Sequence, residues 1–210
     1  MSTTPIIGLT GGIASGKSAV ANILEELGCF VSDSDLISHE VLLEKQVVRA
    51  LVDRWGAEVL SEDGSPSRSR IAQRVFSSSQ ERTWLEDLLH PRIHSRRRAA
   101  IESVLDSESV PACVIDAPLL FEAGIEDECT TTIFVEASRE RRMEWALHQR
   151  GWDRDEFERR ERAQLDVEEK KQRSQRLIMN DGSLEELRMR TCEVFHSIIS
   201  EVDSSGASGS

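Results

Sequence analysis

The chain has 210 residues, 39% of them hydrophobic and 30% charged, which suits one soluble domain with insertions and excludes a disordered or fibrous protein. A formal net charge of −12 repels phosphate backbones at long range and argues against a general nucleic-acid binder, yet it leaves room for a small anion gripped by local arginines. The apolar runs at 5–9 and 110–120 are too short or too interrupted to span a bilayer. Residues 1–4 carry no basic segment ahead of an apolar stretch, so the expected location is cytoplasmic, with no membrane partner.

In chain order, Ile6, Ile7 and Leu9 form a β-prone run that stops at Thr10-Gly11-Gly12. From Lys17 the period changes: Val20, Ile23, Leu24 and Leu27 fall at helical spacing, and Gly28 closes that helix. Phe30-Val31 is a second strand, ending at Ser32-Asp33. Strand, glycine loop, helix and strand in this order open an α/β fold with a parallel sheet. Residues 36–105 show helical periodicity with few strand signals, too long for a plain crossover, and read as an inserted helical region. Further strands are expected at 112–116, 131–135 and 176–179. Residues 138–175 are almost wholly charged and rich in arginine. They read either as a solvated helical face or as a mobile lid over a phosphate site. Leu184, Leu187, Val194, Ile198 and Ile199 mark a last helix, and the Ser/Gly-rich 204–210 is expected to be disordered.

Four cysteines, Cys29, Cys113, Cys129 and Cys192, stand far apart with no C-x-x-C pair, so free and mostly buried thiols are expected. His90 and His94 have metal-compatible spacing, but Pro91 lies between them and no second ligand pair follows; packing or capping is the expected role.

The segment Gly11-Gly12-Ile13-Ala14-Ser15-Gly16-Lys17-Ser18 matches G-x-x-x-x-G-K-[ST]. Backbone N–H groups of such a loop cradle phosphate oxygens, and the following helix adds its positive end. Gly11 and Gly16 permit dihedrals or approaches that a β-carbon would obstruct. Lys17 should reach the β- and γ-phosphates, and the Ser18 hydroxyl should ligate Mg²⁺. Asp33-Ser34-Asp35 follows the second strand, where a carboxylate can accept a proton from an attacking hydroxyl. Asp33 is the better base and Asp35 the better helix cap. Asp116, at another strand end, is either an outer-shell acid for magnesium or a cap of the turn at Pro118.

The chain resembles the dephospho-coenzyme A kinase family over about residues 5–200. The resemblance is carried by the phosphate loop, by Asp33-Ser34-Asp35 and by Trp84-Leu85-Glu86-Asp87-Leu88-Leu89-His90-Pro91-Arg92-Ile93. Asp116-Ala117-Pro118-Leu119-Leu120-Phe121-Glu122, Arg159-Arg160-Glu161-Arg162-Ala163-Gln164 and Asn180-Asp181-Gly182 complete the series. It implies ATP-dependent phosphorylation of the ribose 3′-hydroxyl of dephospho-CoA. The implied fold is a P-loop kinase core with a five-stranded parallel sheet, a helical substrate-binding region and a helical lid. One kinase domain over 5–203 is expected: a core at 5–35, 110–137 and 176–203, a helical CoA-binding region at 36–109, and a lid at 138–175. Carried over by position, residues 11–19, including Ala19, hold the ATP phosphates, with Arg142, Arg150 and Asn180 also on the nucleotide side. Asp33 resembles the general base, and Arg68, His90, Pro118 and Leu119 fall on the acceptor side. A monomer or weak homo-oligomer is expected.

Several positions depart from the family pattern. Ala14 stands where Gly is usual, which requires a negative φ; Pro66 replaces Leu; Ala146 occupies one of two usual arginine positions; Gln175 replaces Asp. The alternative reading is a kinase of another small metabolite, a nucleoside monophosphate or a sugar acid. A GTP switch is unsupported, because Asn180-Asp181-Gly182 lacks the lysine of N-K-x-D.

Overall fold

A computed structural model describes residues 4–105 and 109–207. The chain divides into two units, Met1–Ser32 with Ile101–Ser210, and Asp33–Ala100.

The first unit is built on a five-stranded sheet of β1 (Ile6–Gly11), β2 (Phe30–Asp33), β3 (Cys113–Asp116), β4 (Thr131–Glu136) and β5 (Arg176–Met179), in the order β2-β3-β1-β4-β5. The central strands pair in parallel, with Leu9 opposite Asp116 and Thr10 opposite Phe134. This register ends β3 opposite Leu9, just before the phosphate loop, and sets the last residues of β4 beside the end of β1 at Gly11. Parallel strands are covered on both faces, which is why they read as nearly continuous apolar runs. Ile7, Leu9, Val114, Ile133, Val135 and Ile178 pack with residues of α1 (Lys17–Glu26) and α9 (Leu184–Ala207). Cys113 and Ile115 turn the other way, toward Ile101, Leu120, Phe121 and Ile125. Helix α1 ends as expected at Gly28, where φ is +91°. The Cys29 N–H donates to the Leu24 carbonyl at 3.1 Å and the Gly28 N–H to Glu25 at 2.9 Å, a Schellman closure that needs a residue free to turn left-handed.

The arginine-rich segment forms three short helices of this unit, α6 (Arg139–Arg150), α7 (Arg154–Arg162) and α8 (Val167–Arg173). Their N-caps are Ser138, Asp153 and Asp166, each accepting a backbone N–H from the first turn. Helix α9 runs to Ala207, so residues 204–207 are helical where a disordered tail is expected. The Ser204 hydroxyl donates to the Ser200 carbonyl one turn back at 2.7 Å, a bond that a serine within a helix can make. Residues 208–210 lie outside the described residues.

The second unit is helical: α2 (Ser34–Leu42), α3 (Lys45–Trp55), α4 (Arg68–Ser77) and most of α5 (Ser79–Leu105). Its core gathers Val41, Val47, Leu51, Trp55, Val59, Ile71 and Leu89. Trp55 meets Trp84 edge-on at 5.0 Å, and its indole N–H donates to Glu81 at 2.6 Å. Helix α5 passes through Pro91 without a break. Proline has no N–H for the Asp87 carbonyl; one residue on, the Arg92 guanidinium donates to the Leu88 carbonyl at 2.6 Å. Pro66 pairs with Leu60 in an isolated antiparallel bridge. No described helix is long and apolar enough to cross a membrane.

Candidate active site

Between β1 and α1 the chain makes a tight loop, closed by the Ser15 N–H on the Gly12 carbonyl at 3.0 Å. Helix α1 begins at Lys17 with neither a side-chain cap nor an acidic residue in its first turn. An open N-terminus of this kind favours an anion. Two of the loop glycines have identifiable steric reasons. A β-carbon on Gly11 would lie 2.8 Å from the Val135 carbonyl oxygen, and one on Gly16, where φ is +86°, would collide with the Asn180 amide. That amide donates to the Ser15 carbonyl at 2.8 Å, so Asn180, at the end of β5, braces the loop.

Ala14 overturns the expectation of a negative φ. Its φ is +57°, and among the described residues it is the one non-glycine with a positive value. An alanine there costs roughly 1–2 kcal/mol relative to right-handed backbone, so surrounding contacts must hold the turn.

Lys17 pairs with Asp116 at the end of β3, the two side chains being 16% and 9% exposed. Asp116 thereby holds the loop lysine at the sheet edge, a contact added to the two roles open to it from sequence. The Ser15 and Thr10 hydroxyls are buried with no hydrogen-bond partner. Ser18 is exposed at the first turn of α1. Among the described residues there is no group of three or more His, Cys, Asp or Glu side chains that could hold a metal ion. The donor set fits a hard cation held chiefly by phosphate and water, with Ser18 and Asp116 as the protein groups, and not a protein cage.

Arg142 is only 4% exposed. Its Nη1 donates to the Ile13 carbonyl at 3.3 Å, its Nε to the Ala137 carbonyl at 3.3 Å, and its Nη2 to Glu161 at 2.7 Å. Arg150, expected on the nucleotide side, is exposed at the end of α6 and lies 5.0 Å from the centre of the Trp152 ring. Pro118 and Leu119 follow β3, and Leu119 is exposed.

Asp33, Arg68 and His90 belong to the second unit. Asp33, not Asp35, is the N-cap of α2: its Oδ1 accepts the N–H groups of Asp35 at 2.8 Å and Leu36 at 3.0 Å. Asp33 has extended backbone, as a cap requires, whereas Asp35 already lies in the first turn. Both bonds fall on one oxygen, which leaves the carboxylate a second face for chemistry. Arg68 opens α4 and His90 sits on α5, both exposed.

Lys170 belongs to none of the sequence motifs, yet the structure gives it a central place. Its ammonium is fully buried and contacts Glu122 at 2.7 Å, the Pro118 carbonyl at 2.8 Å and Gln164 at 3.1 Å. Burial pushes its pKa below the ordinary lysine range, while Glu122 opposes that shift. Glu122 also accepts the Leu165 N–H at 2.8 Å. The arginine-rich helices are thereby pinned to the turn after β3. The available signal was compositional: lysine is rare in this chain, and Lys170-Lys171 supplies two of its four copies. Lys170→Ala is expected to lower unfolding free energy by about 3 kcal/mol, the typical cost of breaking a buried ion pair, measured by urea denaturation.

Gln175, where Asp is usual, accepts the Thr132 N–H at 2.7 Å, so the amide oxygen serves as a carboxylate would. The cysteines are free. Burial, with a smaller contribution from Cys113, pushes the Cys29 thiol up to about 12. Cys29 and Cys113 should therefore resist alkylation in the native protein at pH 8, while Cys129 and Cys192 react first, as peptide mass mapping would show. Because the unfolded thiol ionises at lower pH than the folded one, this group makes stability fall as pH rises from about 9 toward 12.

A model of the dephospho-CoA kinase family matches residues 5–186. The dephospho-CoA kinase of Geobacter sulfurreducens is 38% identical over 191 residues, covering 90% of this chain and 96% of that protein. That of Pseudoalteromonas translucida is 35% identical, covering 85% and 84%. Among solved structures, TT1252 from Thermus thermophilus superimposes with a TM-score of 0.79 at 33% identity, covering 93% of this chain and 97% of that one.

Proposed function

The chain belongs to the dephospho-CoA kinase family, and from that premise we propose that it transfers the γ-phosphoryl group of ATP to the ribose 3′-hydroxyl of dephospho-CoA, giving CoA and ADP. The observation that carries this reading is the loop itself: an open helix N-terminus and a lysine steadied by Asp116, within a chain the family matches over most of its length.

Phosphoryl transfer asks for in-line positioning and for neutralisation of a spreading negative charge, more than for covalent help. The backbone N–H groups of 12–18 hold the phosphates, and Lys17 leaves Asp116 for the β- and γ-oxygens. Ser18, with Asp116 behind it, would hold Mg²⁺, which would supply further positive charge there. Asp33 accepts the proton of the 3′-hydroxyl as that oxygen attacks phosphorus. Arg150 adds positive charge from the lid segment, which excludes competing water. Arg68, His90, Pro118 and Leu119 contact the acceptor. The reaction belongs to the cytoplasm.

The test is mass spectrometry of the product formed from ATP, Mg²⁺ and dephospho-CoA, with AMP, CMP and gluconate as competing acceptors. The expected result is one added phosphate on dephospho-CoA alone. Phosphorylation of another acceptor with none of dephospho-CoA would overturn the proposal.

A further inference from the structure

We propose that Arg142 is a positioning residue for the phosphate loop: clamped by Glu161 of α7, its guanidinium holds the Ile13 carbonyl and so sustains the left-handed turn at Ala14. The inference rests on the loop being the ATP site.

Three observations converge. First, the guanidinium is buried and its three nitrogens each donate to a protein acceptor, Ala137, Ile13 and Glu161. It lies 5.7 Å from the centre of the Phe157 ring, itself fully buried on α7. A side chain so placed is an internal brace. Second, the loop lies directly on it: a β-carbon on Gly12 would stand 3.1 Å from Arg142 Nη1 and 3.2 Å from its Cζ. Third, the Ile13 carbonyl belongs to the same peptide unit as the Ala14 N–H. Fixing that plane fixes the entry to the one non-glycine turn with positive φ among the described residues. Without the brace, an alanine relaxes toward negative φ, which rotates this peptide and turns its N–H away from the phosphates.

Glu161 makes the brace sensitive to α7, because it also accepts from Arg139 at 3.0 Å. A displacement of α7 would release Arg142 and loosen the loop. The arginine-rich segment thus acts on nucleotide affinity through backbone geometry, separately from any charge it offers the phosphates.

The experiment is a double-mutant cycle on the full-length protein. ATP Kd is measured by calorimetry, kcat with dephospho-CoA, and folding by thermal melting. In the Ala14 background, Arg142→Gln is expected to weaken ATP binding about tenfold, roughly 1.4 kcal/mol. In the Ala14→Gly background, where glycine turns left-handed without penalty, the same substitution should cost less than about threefold. Glu161→Gln should follow the same pattern with a smaller loss, and it carries the cycle if Arg142→Gln fails to fold. Equal losses in the two backgrounds would overturn the proposal. So would a fall in kcat with ATP Kd unchanged, the mark of an arginine that touches the transferring phosphoryl group. If the wild-type protein binds no ATP, the functional reading itself fails; if it binds ATP and the cycle is additive, only the Arg142 inference does.

Discussion

Lys17→Ala is expected to lower kcat by about 10²–10³-fold or more, the usual loss when a preorganised donor to developing charge is removed. Lys17 is the first residue of α1 and already stands at the carboxyl edge of the sheet, held by Asp116. That placement puts its ammonium at the open helix end where phosphates would lie. No backbone N–H can replace it, because those donors carry partial charges fixed in direction. The fold should survive, since α1 keeps its buried face of Val20, Ala21, Ile23 and Leu24. Removing the cation beside Asp116 will nevertheless lower the melting temperature, so rates should be compared well below the transition. Steady-state assays with saturating dephospho-CoA, alongside circular dichroism, make the measurement. Wild-type kcat in a folded Lys17→Ala protein would contradict the phosphate-loop assignment.

What could be read from the sequence is what local chemistry forces. β1, α1 and the Gly28 closure are each dictated by neighbours within a few residues, and the glycine loop is announced by its spacing, so residue types reveal them. The helical character of 36–105 follows equally from periodicity. The readings that failed depended on distant partners. Ala14 looked restricted to negative φ because sterics alone favour it; Arg142, 129 residues away from Ile13, is positioned to hold the opposite result. Lys170 was invisible because one partner, the Pro118 carbonyl, lies 52 residues back in the chain. The arginines of 138–175 showed charge but not pairing. In the structure Glu156 engages Arg159 and Arg160, while Glu161 engages Arg139 and Arg142. Arg150 instead lies against Trp152, and that difference separates a candidate for the nucleotide from arginines already used to hold helices together.

Asp33→Asn is expected to reduce kcat by about 10²–10⁴-fold, the range for loss of a positioned general base, with ATP affinity retained. The substitution is informative because Asp33 has a second job. Its Oδ1 caps α2 through the Asp35 and Leu36 N–H groups, and asparagine caps a helix about as well as aspartate. The amide oxygen can keep both bonds, so α2 should persist while the basic carboxylate disappears. Asp33→Ala removes both functions and should additionally cost about 0.5–2 kcal/mol of stability. Comparing the two variants by urea denaturation and by turnover separates the roles. A base gives Asn and Ala equally poor rates with different stabilities; a mere cap gives Asn wild-type turnover and leaves Ala alone impaired. The latter outcome would strip Asp33 of its catalytic role and leave the 3′-hydroxyl proton to another acceptor.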